Sequence, residues 1–111
     1  MTSIHEIQSF QHSIMTLSLC LLHLEKDDLS IDKSLHEALV IVNISNSLTD
    51  LVPADRMLKT ITKNLNKVSN AYISNPQSTL LDIPVHDTLY QLRYNLRITL
   101  DYIIHHYGDL E

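Results

Sequence analysis

A single glycine, Gly108, serves all 111 residues of the chain. Small sheets joined by tight turns need several glycines at positive φ, so one glycine argues for few turns and long helices. It also leaves nothing from which a phosphate-cradling loop or a Rossmann fingerprint could be built. Cysteine is equally scarce. Cys20 has no second cysteine to pair with, and within its apolar run it reads as a small buried hydrophobe of a reducing compartment. Long hydrophobic runs are missing too. The apolar stretch from Ile14 to Leu24 is broken by Thr16, Ser18 and His23, and a membrane span needs roughly 20 residues. The residues before it include no lysine or arginine, so the basic start of an export signal is absent and the cytoplasm is the expected location.

What is present describes a folded chain. Hydrophobic residues make up 44% and charged residues 19% of the sequence, a balance that sustains one core, and residues 1–111 read as one helical domain. The longest pattern with one period is the last third, from about Pro84. There Val85, Leu89, Leu92, Leu96, Leu100, Ile103 and Tyr107 recur at steps of three and four and form one apolar stripe of a helix. Gly108 follows at once, where a left-handed glycine would end the helix.

Three further helices precede it. Ser3 and Glu6 have the spacing of a capping box, and Ile7, Phe10, Ile14, Leu17, Leu21 and Leu24 form the first stripe. Met15, Leu19, Cys20 and Leu22 widen its apolar face, which predicts a helix covered on more than one side. Ser30 or Asp28 can cap a second helix, reaching about Val52 through Ile31, Leu35, Ala38, Leu39, Val42 and Leu48. Its β-branched centre, residues 39–44, would suit a strand in isolation but keeps helical spacing here. Pro53 marks the start of a third helix, with Met57 or Leu58, Ile61, Leu65, Val68 and Tyr72 facing inward. Asn75-Pro76 ends it, and the stretch to Ile83 is the longest expected loop. Four helices of about twenty residues with short breaks imply an all-α antiparallel four-helix bundle, with a helical-hairpin dimer as the alternative arrangement of the same stripes.

Chemical motifs are few. Among seven histidines, His5, His12 and His23 share one side of the first helix but stand roughly 10 and 16 Å apart, too far for one ion, so no metal and no cofactor is expected. One line of polar and aromatic residues runs beside the last stripe: Tyr90, Tyr94, Arg97, Asp101 and His105. Tyrosine and arginine are the residue types that carry interface energy, and Asp101 stands four residues from both Arg97 and His105, within reach of each. A rival face is the basic row Arg56, Lys59, Lys63 and Lys67 on the third helix, half of the eight lysines and arginines in the chain. The net charge of −5 disfavours nucleic acid and acidic membranes and suits a basic protein partner, a toxin or an enzyme.

From Leu100 to Tyr107 the chain resembles the terminal motif of bacterial four-helix HEPN ribonucleases. In that family an arginine, usually followed by asparagine, precedes a histidine by five positions, and a tyrosine follows the histidine by two. His105 and Tyr107 match, while Leu100 stands in place of the arginine and Asp101 in place of the asparagine. The resemblance implies a helical bundle that has lost nuclease activity. In size and class the chain also resembles small helical bacteriocin-type immunity proteins. Three function classes follow: a non-enzymatic immunity or inhibitor protein that binds and neutralises a partner, a subunit or adaptor of a helical assembly that includes a homodimer, and a degenerate HEPN-like protein.

Overall fold

The computed structural model describes residues 4–26, 29–51, 54–74 and 88–108, with side chains from residue 8 on. They form α1 (Ile4–Leu24), α2 (Ile31–Leu51), α3 (Arg56–Ser74) and α4 (Thr88–Tyr107). Each helix packs on two others in a ring: α1 on α2, α2 on α3, α3 on α4 and α4 back on α1. Cross-contacts fix the directions. The start of α2 meets the end of α3 where Ser34 and Tyr72 share a 2.6 Å hydrogen bond, and the start of α1 meets the end of α4 where Phe10 stacks on Tyr107 at 4.3 Å. The end of α1 meets the start of α2 through His23 and Glu37, 3.0 Å apart. The result is the expected antiparallel four-helix bundle, formed within one chain.

Local chemistry sets the helix ends. Ser30, not Asp28, is the visible cap of α2: its hydroxyl accepts the Lys33 N–H at 3.2 Å and its carbonyl the Ser34 N–H at 3.0 Å. The third helix begins at Arg56, later than the proline suggests, because Asp55 caps it by accepting the Leu58 N–H at 3.0 Å. Pro53, Asp28, Ser3, Val85 and the loop to Ile83 lie outside the described residues, as do the side chains of Glu6 and Ile7. Gly108 ends α4 with its N–H on the Ile104 carbonyl at 3.0 Å, but its φ is not positive. Glycine is required there for space, since a Cβ would run into the Ile104 carbonyl.

The core departs from the apolar stripes in an instructive way. Phe10, Leu17, Leu24, Leu48, Leu58, Leu65, Leu92, Leu96 and Ile103 are fully buried, but so are six hydroxyl residues: Ser13, Ser34, Ser45, Thr62, Ser69 and Thr99. Each hydroxyl bonds a carbonyl three or four residues back in its own helix, at 2.7–2.9 Å. A short side chain whose polar atom is satisfied locally can sit at a helix crossing without leaving an unpaired group. This shifts the buried face of α2 to Ser34, Glu37, Ala38, Ile41, Ser45 and Leu48, so Ile31 and Leu39 point to solvent. On α3, Leu58 is the inward residue and Met57 is exposed. The β-branched centre of α2 is helical throughout.

The expectation for α1 is overturned. Cys20 joins the core, but Met15, Leu19 and Leu22 are 65%, 49% and 59% exposed, so the second apolar side of this helix faces outward. Among the described helices, α1 packs mainly on α2 and α4.

Candidate functional site

The outer line of α4 is exposed along its whole length, from Tyr90 and Tyr94 through Arg97 and Asp101 to His105. Tyr90 and Tyr94 are 43% and 52% exposed and lie nearly parallel, with centroids 6.3 Å apart, so one turn of helix presents a flat aromatic pair. The expected pairings below them do not form. Arg97 makes its ion pair with Glu25 at the end of α1 and not with Asp101, and Asp101 has no ion pair to His105, whose ring instead meets His106 edge-on at 5.0 Å. The neighbouring Arg93 is also engaged. Its Nε donates to the Leu24 carbonyl at 2.7 Å and a second guanidinium nitrogen reaches the same oxygen. Both arginines therefore hold the C-terminal end of α1, where free carbonyls attract positive charge.

The shared antiparallel register that sets Leu24 beside Arg93 and Phe10 beside Tyr107 places Leu22 level with the Tyr94 turn and Met15 within a turn of Ile104. These apolar side chains of α1 thus stand at the same height along the bundle as the aromatic line of α4. Ile104 is exposed as well.

The basic row behaves differently. Arg56, Lys59, Lys63 and Lys67 are all exposed, α3 contains no acidic residue, and none of the four cationic groups has an ion pair or hydrogen bond among the described residues. Lys59, Lys63 and Lys67 line a groove of about 830 Å³ between α2 and α3, whose floor and far bank are Asn46, Thr49, Asp50, Thr62, Asn64 and Asn66. Side-chain bonds tie the two banks together: Thr49 to Thr62 at 2.9 Å, and Asn66 Nδ2 to the Asn46 Oδ1 at 2.6 Å. These asparagines and threonines escaped the sequence reading. Outward polar residues on two separate helices look like ordinary solvated faces until the helices are paired.

At the start of α3, Asp55 joins this helix to α4. Tyr102 donates to both carboxylate oxygens at 2.9 Å, and the Tyr107 hydroxyl donates to Oδ2. Burial would raise this carboxyl, but the Leu58 N–H, the Tyr107 and Tyr102 hydroxyls and nearby His106 outweigh it and hold the group below its ordinary 3.8. Burial and the adjacent carboxylate push both tyrosines above their ordinary 10.0. His106 stacks on Tyr102 at 4.2 Å, and together with Ile61, Ile98, Asp101 and His105 they line an open groove of about 600 Å³. The cluster ties α3 to α4 and orients the rings.

The nucleophile candidates are poor. Cys20 is buried, and desolvation together with the Glu37 carboxylate pushes its thiol up to about 12, far from a thiolate at neutral pH. Among the described residues no three histidine, cysteine or acidic side chains gather as a metal set, and no helix is long and apolar enough to cross a membrane. In the HEPN-like stretch, Leu100 is a core residue, His105 lies outside, and the Tyr107 hydroxyl is held by Asp55. Compared with known proteins, the chain matches no family model, no curated relative and no solved structure.

Proposed function

We propose that the protein is a non-enzymatic binding protein of the immunity or inhibitor kind, a helical bundle that neutralises a partner protein by covering part of its surface. The observation that carries this reading is the second apolar side of α1, where Met15, Leu19 and Leu22 are exposed, together with the exposed, stacked Tyr90–Tyr94 pair of α4. Large apolar side chains clustered on an otherwise polar surface lose free energy in water and regain it under a partner, and tyrosines at the centre of such a patch act as anchors. Glu25 and Asp101 at its edge, with the net charge of −5, suit a basic partner.

The same uncovered helix side supports the second reading, a subunit or adaptor whose partner helices, a second copy included, pack on α1. A degenerate HEPN-like protein has less support, because the arginine position is a core leucine. The deciding experiment is affinity capture from the native host with the wild-type chain, Leu19→Asp and Tyr94→Ala, followed by an activity assay of whatever is captured. A partner held by the wild type, lost from both variants and inactivated by the bound chain is the expected result. Capture that survives both substitutions, or a captured partner whose activity is unchanged, would sink the inhibitor reading. A homodimer by light scattering that Leu19→Asp splits would select the assembly reading.

A further inference from the structure

The groove between α2 and α3 lies on a different face from the α1–α4 patch, and its chemistry is opposite. Three ammonium groups, Lys59, Lys63 and Lys67, stand on one bank at intervals of four residues, about 6 Å along the helix axis. No described group neutralises them. Carboxylates at i±4 would pair with such a row, but α3 has none, and Asp50 is the only carboxylate among the described residues that line this groove. The groove therefore keeps a positive excess on a protein whose overall charge is negative.

The floor indicates what form an anionic occupant takes. Its polar groups are the paired hydroxyls of Thr49 and Thr62 and the bridged amides of Asn46 and Asn66. The Asn46 amino group has no partner among the described residues. An extended peptide offers backbone carbonyls that the Asn46 amino group can meet. Side chains on one face of an extended strand recur at about 6.6 Å, close to the lysine interval. Nucleic acid fits less well: the lining has no aromatic ring to stack a base and no guanidinium to fork a phosphate.

We propose that this groove is a docking site for an extended acidic segment of a partner protein, with Lys59, Lys63 and Lys67 taking alternate carboxylates and Asn46 meeting its backbone. This site is separate from the α1–α4 patch and would let one chain hold two surfaces at once.

The test uses the full chain and a fluorescein-labelled peptide of ten glutamates, followed by anisotropy at low salt. Saturable binding should fall at least tenfold between 20 and 200 mM salt. Lys63→Glu with Lys67→Glu should abolish it, and Asn46→Ala should weaken it severalfold with an unchanged melting curve. The control is Lys26→Glu with Lys33→Glu, which alters net charge equally at lysines outside the groove and should leave affinity within twofold. Equal loss from both double variants would mean a diffuse charge effect and overturn the proposal, as would failure of the wild type to bind. Tighter binding of a ten-nucleotide single strand than of the peptide would assign the groove to nucleic acid instead. Tyr94→Ala should leave peptide binding unaffected, so this result and the reading of the α1–α4 patch can fail separately.

Discussion

The outward faces of α3 and α4 both carry cations at helical spacing, yet the fold uses them in different ways. On α4, Arg93 and Arg97 reach across to the end of α1, one on the Leu24 carbonyl and the other on Glu25. On α3, the cationic groups of Arg56 and the three lysines make no ion pair or hydrogen bond among the described residues. The difference lies in what stands opposite. The C-terminal end of α1 supplies bare carbonyls and a carboxylate within reach of α4, and a planar guanidinium can bridge to them with little loss of order. The α2 bank facing α3 supplies mainly amides and hydroxyls, which are already bonded to one another. Cations that hold helices together are poor candidates for recognition, and cations left over are better ones.

The largest expected effect tests the inward side of the same helix. Leu96 is fully buried at mid-length of α4, so Leu96→Ala should cost about 2–5 kcal/mol in a denaturant melt. A loss under about 1 kcal/mol would show that α4 is not part of the core. Next comes the joint between the two compared helices. Asp55→Ala removes the cap of α3 and leaves two tyrosine hydroxyls without their acceptor, for an expected loss of about 1–3 kcal/mol at neutral pH.

The pH profile sharpens that result. The depressed Asp55 carboxyl contributes stability that is in place above 3.8 and is lost as pH falls below it through the folded-state value. The raised Tyr102 and Tyr107 hydroxyls contribute stability that is in place below 10.0 and is lost as pH rises past it. Wild-type stability should therefore decline at both limits, and Asp55→Asn, which can still cap the helix, should flatten the acid side. An acid decline of the same slope in Asp55→Asn would remove Asp55 from this role.

The comparison itself is broken or upheld by two alanines. Arg93→Ala should destabilise by about 1–2 kcal/mol because it strips charged hydrogen bonds from the end of α1, while Lys63→Ala should stay within about 0.5 kcal/mol. Equal effects would mean that the lysine row is also structural. The smallest change in stability is expected at Tyr94. Tyr94→Ala should leave the melt unaltered within about 0.5 kcal/mol and weaken partner binding by about 1–3 kcal/mol, mostly through faster dissociation.

Helix number, helix type and the antiparallel bundle were legible in the sequence, because a single glycine rules out turn-rich folds and the leucine period of α1 and α4 is strong. The exposure of the Tyr90–His105 line and of the basic row was legible for the same reason: both are what remains of a helix once its apolar stripe is assigned. Less was legible where the stripe is ambiguous. On α2 the leucines and valines surround the helix, and the true inward face is marked by Ser34 and Ser45, whose hydroxyls hide their polarity against their own backbone.

Periodicity is a property of one helix, set by 3.6 residues per turn, and it decided that these segments are helical and which side of each is apolar. It could not decide which apolar sides find cover, which cations meet an acceptor, or that Asn46 would face Asn66 across a groove. Those depend on contacts between residues far apart in the chain, which only the packing of four helices around one core brings within a few ångströms. Met15 and Leu17 are both large and apolar and only two positions apart in the sequence. The ring arrangement buries Leu17 and leaves Met15 outside, because the main packing partners of α1 among the described helices, α2 and α4, both lie on the Leu17 side.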